Sequence, residues 1–319
     1  MRNKAHTWKA LAQYSPYIIL LVLCAIMTVA TDNFLSFSNL ISVLRQTSFL
    51  LVMALGMTFA MVLGRGADMS LGATVAISSC LAAFFLKSSC NAATVILGFL
   101  MAIGIGVVVG ALNGAFIAYL RLPAMLVTYG MSNILRGVIF AYMDGDVVTN
   151  LHKSVTYLGS GYIGKIPVPV VVAAVLTLLT TFILKKTPIG RQLYVVGENA
   201  EAARFSGIKS NLTVIIGFVF TGCLAAIAGI MYIGRLGTAE AQIGTDFHLN
   251  AIAAAAIGGV SFNGGVANPG GVVAGAIILS LLTNGMNLLN ISSNWQEFIY
   301  GLIIIFAVLV DYFSNKEGR

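Results

Sequence analysis

Residues 92–120 contain no Asp, Glu, Lys or Arg, and stretches of similar character recur from one end of the chain to the other. They occupy residues 17–31, 49–63, 71–86, 92–120, 124–143, 167–184, 213–234, 248–258, 272–289 and 295–312. A helix that crosses a bilayer needs about 20 mainly apolar residues. Soluble domains carry about 25% charged residues. Here only 9% are charged and 58% are hydrophobic, too little polar surface to cover a water-soluble globule. Strands of membrane barrels alternate apolar and polar residues, whereas these runs are unbroken, so a barrel is excluded. The expected fold is an all-α polytopic membrane protein with about ten transmembrane helices, forming one transmembrane domain over residues 1–319.

Charge sets the expected orientation. The formal net charge is +7. In a membrane chain, Lys and Arg collect in cytoplasmic loops, so this excess does not point to nucleic acid as a partner. The N-terminal segment carries Arg2, Lys4 and Lys9 with no acid, and residues 185–209 carry Lys185, Lys186, Arg191, Arg204 and Lys209. The loops 144–166 and 235–247 share only Lys153, Lys165 and Arg235. The N-terminus and the 187–212 region are therefore expected on the cytoplasmic side, separated by six spans, and ten spans would return the C-terminus to that side. The run 17–31 lacks a small-residue cleavage pattern and reads as an uncleaved first helix. Trp8 and Trp295 fit interfacial anchors. Leu35 to Gln46 is too polar to span, and reads as a separate interfacial helix before the second span.

Two Gly-rich breaks interrupt the apolar pattern. Residues 54–77 and 251–278 share a layout: an apolar run, a Gly-rich polar break, then a helix that begins at small residues. Paired broken segments in two halves of a chain point to a transport path near mid-membrane. The long run 92–120 holds Gly98, Gly104, Gly106, Gly110 and Gly114, spaced so that another helix can approach closely.

The polar stretch 187–212, TPIGRQLYVVGENAEAARFSGIKSNL, lies between two strongly apolar runs. Ala200 to Ser206 reads as a short helix. Asn199 is its N-cap, Glu201 sits in the first turn, and Gly207 stops it in the left-handed conformation. A two-turn helix does not stabilise itself in water, so it must dock. Ala202, Ala203 and Gly207 are expected on the face a partner buries, with Glu201 and Arg204 at the rim.

Polar residues at membrane depth are candidates for a path or gate. Asp68, in GRGADMSLG, is costly there unless paired or wet. It either faces the path, bonded to Ser70, or caps the third span with Arg65 as partner. Asn113, Asn284 and Asn287 project from apolar helices; each either lines a path or ties helices together. Arg136 snorkels or touches substrate. The four cysteines, Cys24, Cys80, Cys90 and Cys223, show no metal or disulfide spacing. His6, His152 and His248 are scattered. There is no G-x-x-x-x-G-K-[ST] loop for ATP phosphates and no H-E-x-x-H or G-x-S-x-G motif. No catalytic residue, metal or cofactor is assigned to this chain.

The stretch carrying Gly190, Gly197, Glu198, Asn199, Glu201, Ala202, Ala203, Arg204, Ser206, Gly207 and Ile208 resembles the coupling segment of permease subunits of ribose-type ABC importers, the monosaccharide group related to branched-chain amino-acid permeases. The resemblance extends through Asn33–Phe34, Asn39–Leu40, the ALGMT at 54–58, the GADMS at 66–70, Asn113–Gly114, the IGG at 257–259, Gly270–Gly271 and Asn284–Gly285 with Asn287. Ala67 and Met69 depart from the larger branched residues common beside the Asp, and GGVANPGG is less charged than the usual break. The resemblance implies a pair of permease chains (two copies, or this chain and a paralogue) enclosing a central path. It implies ATP and Mg bound by a separate ABC ATPase subunit, and a periplasmic or lipid-anchored sugar-binding protein at the outer face. The implied site is the bacterial inner membrane, with both termini cytoplasmic.

Two other classes stand beside this one. A secondary transporter driven by an ion gradient would need acids at depth, for which Asp68 and Glu297 are the candidates. A membrane scaffold would carry no flux.

Overall fold

The computed structural model describes residues 17–87 and 90–316. The basic N-terminal segment with Trp8, and the final Glu317 and Arg319, lie outside the described residues. The rest is mostly helix: α1 (Tyr17–Ala30), α2 (Phe37–Met61), α3 (Leu71–Ala83), α4 (Ala92–Tyr119), α5 (Ala124–Met143), α6 (Lys153–Ser160), α7 (Val168–Lys186), α8 (Pro188–Glu198), α9 (Ala200–Phe205), α10 (Ser210–Leu236), α11 (Phe247–Ile257), α12 (Pro269–Leu288) and α13 (Ser293–Lys316). A two-residue hairpin, β1 (Tyr162–Ile163) and β2 (Ile166–Pro167), precedes α7. Among the described residues, α2, α4, α5, α7, α10 and α12 are long and apolar enough to cross a membrane, and α1, α3 and α11 are shorter apolar helices. The chain is a multi-pass, all-α membrane protein.

The core forms around α10, which packs on α2, α3, α4 and α6. Its contact with α4 is backbone against backbone. A Cβ on Gly106 would come 2.2 Å from the Gly222 carbonyl oxygen, and one on Gly110 would come 2.3 Å from that of Phe218. Gly114 meets Ile215, so numbers rise on one helix as they fall on the other and the pair is antiparallel. Lipid tails are as apolar as Leu, so no hydrophobic force drives two helices together in a bilayer; close van der Waals approach does, and it requires small residues. Gly104 was expected in this stripe but faces open space. It lies two residues from Gly106, so it projects from the far side of the helix. The Thr221 hydroxyl donates across to the Gly56 carbonyl oxygen (2.9 Å) and ties α10 to α2.

Three stretches differ from expectation. Leu35 to Gln46 is not a separate interfacial helix; α2 runs unbroken through it. Ser36 caps it by accepting from the Asn39 amide (3.3 Å), and Ser42 and Ser48 return their hydroxyls to carbonyls four residues back. Arg45 is accommodated because it donates to the Tyr162 hydroxyl (2.6 Å) with its guanidinium over that ring. The polar loop 144–165 holds α6 and β1, and β2 follows it directly. Arg136 takes a structural role that the sequence does not show: it donates to the Ala241 and Ile243 carbonyl oxygens (3.1 and 2.9 Å) and ties α5 to the loop after α10.

Replacing Gly106 or Gly110 by Leu should cost more than about 3 kcal/mol, because the added atoms meet backbone that cannot move aside. Gly104→Leu should stay within about 0.5 kcal/mol of the parent. Thermal unfolding of the detergent-purified protein measures all three, and equal losses would refute the antiparallel glycine contact.

Candidate functional site

The polar stretch between α7 and α10 contains two helices. α8 was not foreseen, although its signals are present: Thr187 caps it by accepting from the Gly190 amide (3.1 Å), and Pro188 occupies its first turn. It buries Gly190, Leu193 and Val196, which recur every three residues on one face. A Cβ on Gly190 would lie 2.2 Å from the Ile183 carbonyl oxygen, so α8 sits directly against the end of α7.

α9 follows as expected. Asn199 Oδ1 accepts from the amides of Glu201 and Ala202, both at 3.0 Å, and Gly207 (φ +82°) terminates the helix. Ser206 returns its hydroxyl to the Ala202 carbonyl oxygen (3.0 Å), and Ser210 reaches that of Ala200 (3.1 Å). The two faces are assigned differently from the expectation. Ala203 is fully buried within this chain and Ile208 is half-buried beside the same core, so they anchor α9 rather than meet a partner. Glu198, Glu201, Ala202, Arg204, Ser206 and Gly207 are exposed. So is Phe205, at 80%, with the Arg204 guanidinium 5.7 Å from its ring centroid. The sequence does not mark Phe205, because a lone Phe in a polar stretch carries no periodic signal.

The inner side of α8 meets both Gly-rich breaks at one point. The Gly265 amide donates to the Val62 carbonyl oxygen (2.9 Å). A Cβ on Gly197 would fall 1.8 Å from that same oxygen, and one on Gly264 would fall 2.4 Å from the Gly64 Cα. Gly64, Gly264 and Gly265 all have positive φ. The Tyr194 hydroxyl donates to the Ala267 carbonyl oxygen (3.2 Å), a second link from α8 to the later break. Thus the break between α2 and α3, the break between α11 and α12, and the end of α8 share a backbone junction.

Asp68 lies in the first of these breaks and is only 2% exposed. Its Oδ1 accepts from the Ser70 amide (2.8 Å) and the Ser70 hydroxyl (2.6 Å). Asn113 Nδ2, from α4, donates to the same hydroxyl oxygen (2.8 Å), and Asn113 Oδ1 is buried with no hydrogen-bond partner. Arg65, the expected partner of Asp68, stands exposed and makes no ion pair with it among the described residues. The Met69 amide is taken by the Thr128 hydroxyl of α5 (2.9 Å). Irregular backbone at membrane depth persists only where protein or a wet cavity satisfies it, and here the Met57 sulfur, the Thr128 hydroxyl and the Asp68 carboxylate take the amides of Asp68, Met69 and Ser70.

Asn284 and Asn287 are not part of this cluster. Asn284 and Asn39 exchange amide hydrogen bonds (3.0 and 2.7 Å), which joins α12 to the start of α2. Asn287 is exposed, and its Oδ1 accepts from Gln296 of α13 (2.8 Å). At 1.5 Å per residue, Asn39 lies roughly 27 Å along α2 from Met57, which touches the Asp68 amide through its sulfur. The five candidates therefore form two structural groups at opposite ends of α2. Among the described residues no cluster of His, Cys, Asp or Glu could hold a metal ion.

A multi-pass helical protein with paired broken helices and a docked helical segment outside the bundle is a membrane permease by architecture. The chain belongs to the family described as the branched-chain amino acid transport system / permease component, whose model matches residues 39–308. It is 37% identical over 311 residues to the ribose import permease protein of Escherichia coli strain K12, covering 96% of this chain and 95% of that one. The ribose import permease protein of Haemophilus influenzae is 34% identical, with 99% of both chains covered. The galactose/methyl galactoside import permease protein of Escherichia coli strain K12 is 32% identical, with 99% of this chain and 98% of that one covered. No solved structure matches the chain significantly.

Two results test this geometry. Gly197→Ala should cost about 1–3 kcal/mol through overlap with the Val62 carbonyl. Gly207→Ala, strained only in φ, should cost about 1–2 kcal/mol and leave that junction intact. A parent-like melting temperature for Gly197→Ala would show that the junction is not tightly packed. A double-mutant cycle on Asn39→Ala and Asn284→Ala should show a coupling energy of about 1 kcal/mol; additive losses would separate the two amides.

Proposed function

We propose that this chain is the membrane permease subunit of an ATP-driven ABC importer for a monosaccharide such as ribose or a related small sugar. Membership of the permease family and near full-length similarity to ribose and galactose import permeases support this reading. The observation that carries the mechanism is the junction of α8 with both Gly-rich breaks. Any displacement of the α8–α9 segment reaches both breaks directly, without passing along a transmembrane helix.

In this reading the α8–α9 face is cytoplasmic, in accord with the five Lys and Arg of residues 185–209. The protein sits in the bacterial inner membrane with both termini cytoplasmic. It makes ten passes, with α1, α3, α11 and α13 adding to the six long apolar helices. A separate ATPase subunit binds ATP and Mg and docks on α9; this chain binds no cofactor. A periplasmic or lipid-anchored sugar-binding protein delivers substrate to the opposite face, and a second permease, identical or paralogous, completes the path. Closure of the ATPase dimer moves α9, and the breaks switch the path between outward and inward access. A nucleotide state can shift this equilibrium only through contacts that differ between the two states, so the exposed face of α9 must repack during the cycle.

Phe205 is the expected anchor of that contact, with Glu201, Ala202, Arg204, Ser206 and Gly207 around it. A central aromatic in a desolvated pocket typically contributes 2 kcal/mol or more. Phe205→Ala should therefore weaken binding of the purified ATPase by about 30-fold and reduce uptake in parallel. Its melting temperature should match the parent, since the ring is exposed. Parent-like ATPase affinity in this variant would refute the docking of the ATPase on α9.

A further inference from the structure

A cavity of about 290 Å³ opens at the far end of α10 from α9. α10 has 27 residues, so the two sites are separated by about 40 Å along its axis. The cavity lies between the end of α10, the loop 237–246 and the start of α11. Its polar side chains include Glu240, Gln242, Thr245, Asp246 and Asn250, and its aromatic wall is Tyr232 and Phe247, edge to face at 4.9 Å.

The loop that shapes it is held from several sides. Arg136 of α5 donates to the Ala241 and Ile243 carbonyl oxygens. Val148 and Ala239 exchange backbone hydrogen bonds, each 2.9 Å. The Cys80 thiol donates to the Glu240 carbonyl oxygen (3.2 Å). Gly244 (φ +78°) packs on Gly72, where a Cβ would come 2.5 Å from the Gly72 carbonyl oxygen. Gly72 is two residues beyond Ser70, so the floor of the cavity adjoins the break that holds Asp68.

We propose that this cavity is a binding site for one neutral monosaccharide, entered from the face that receives the sugar before transport. The inference rests on the importer reading and adds a site to it. A sugar hydroxyl both donates and accepts. Glu240 and Asp246 supply acceptors, and Gln242 and Asn250 supply both donor and acceptor. The apolar ring face of a sugar fits against Phe247, which presents area without demanding a hydrogen bond. The volume lies just below the usual range for ligand pockets, about 300–1,000 Å³, which leaves room for a single sugar and not an oligosaccharide. No Lys, Arg or His lines the cavity, and two carboxylates do. A sugar phosphate or the carboxylate of an amino acid would find no cationic side chain lining the cavity, whereas a neutral polyol needs none.

The test uses proteoliposomes containing the permease, its ATPase and its sugar-binding protein, with radiolabelled D-ribose, D-xylose, D-galactose and L-leucine as probes. Glu240→Gln and Asn250→Ala are the variants, and uptake and ATP hydrolysis are measured together. Each variant should lower sugar moved per ATP hydrolysed at least fivefold, while stimulation of hydrolysis by the loaded binding protein stays within twofold of the parent. An unchanged ratio in both variants would overturn the cavity assignment alone. Parallel loss of stimulation and uptake would also overturn it, because the cavity would then receive the binding protein rather than the sugar. Uptake of L-leucine and none of the sugars would overturn the ligand class. A parent protein with no ATP-dependent uptake of any probe would overturn the importer reading together with the site.

Discussion

The structure depends on the need to satisfy backbone amides and carbonyls where helices stop inside the bundle. An α-helix carries its own hydrogen bonds, but α2 and α11 both end in Gly-rich breaks short of the next helix. Each leaves terminal carbonyls and amides that lipid cannot satisfy. The two breaks answer each other: Gly265 of one donates to Val62 of the other. Such an approach is closed to any residue with a Cβ, which accounts for Gly64, Gly197, Gly264 and the positive φ angles found there. The junction then fixes the position of α8, and α8 fixes α9.

This arrangement bears on energetics as well as geometry. A short helix such as α9 is unstable in isolation, yet here it is anchored by Ala203 and Ile208 and capped by Asn199. Its opposite face is left open, with the Phe205 ring exposed at its C-terminal end. A partner that binds this face therefore meets a preorganised surface and loses little to ordering it. α8 meets the Val62 carbonyl at Gly197, one residue before its end, with no side chain interposed.

The apolar runs and charge distribution were enough to give the class and the positions of most helices, because a span must be long and uncharged whatever its neighbours. The caps of α9 were also legible, since capping is local chemistry carried by Asn199 and Gly207. Features that depend on three-dimensional context were not. Whether Ala202 or Ala203 faces inward is a rotation of about 100°, decided by the core under α9. Asn113 and Asn284 are the same residue type in similar apolar helices, yet one serves the break and the other clasps α2. Arg45 looked too polar for a span because its partner, Tyr162, is distant in sequence. α8 was missed because its apolar face is only three residues long and two of those flank charged or polar neighbours.

The same constraint that builds the junction also relates it to the cavity at the other end of α10. α3 begins at Leu71, just past Asp68 and Ser70, and Gly72 in its first turn meets Gly244 of the cavity loop. The first break thus touches α8 through Gly64 and lies within a few residues of the cavity floor. Asp68, Ser70 and Asn113 stand between them as a buried hydrogen-bonded set with one acceptor, Asn113 Oδ1, left unpaired. An unpaired buried acceptor costs free energy, about 1–3 kcal/mol. That cost falls in any conformation that supplies a donor.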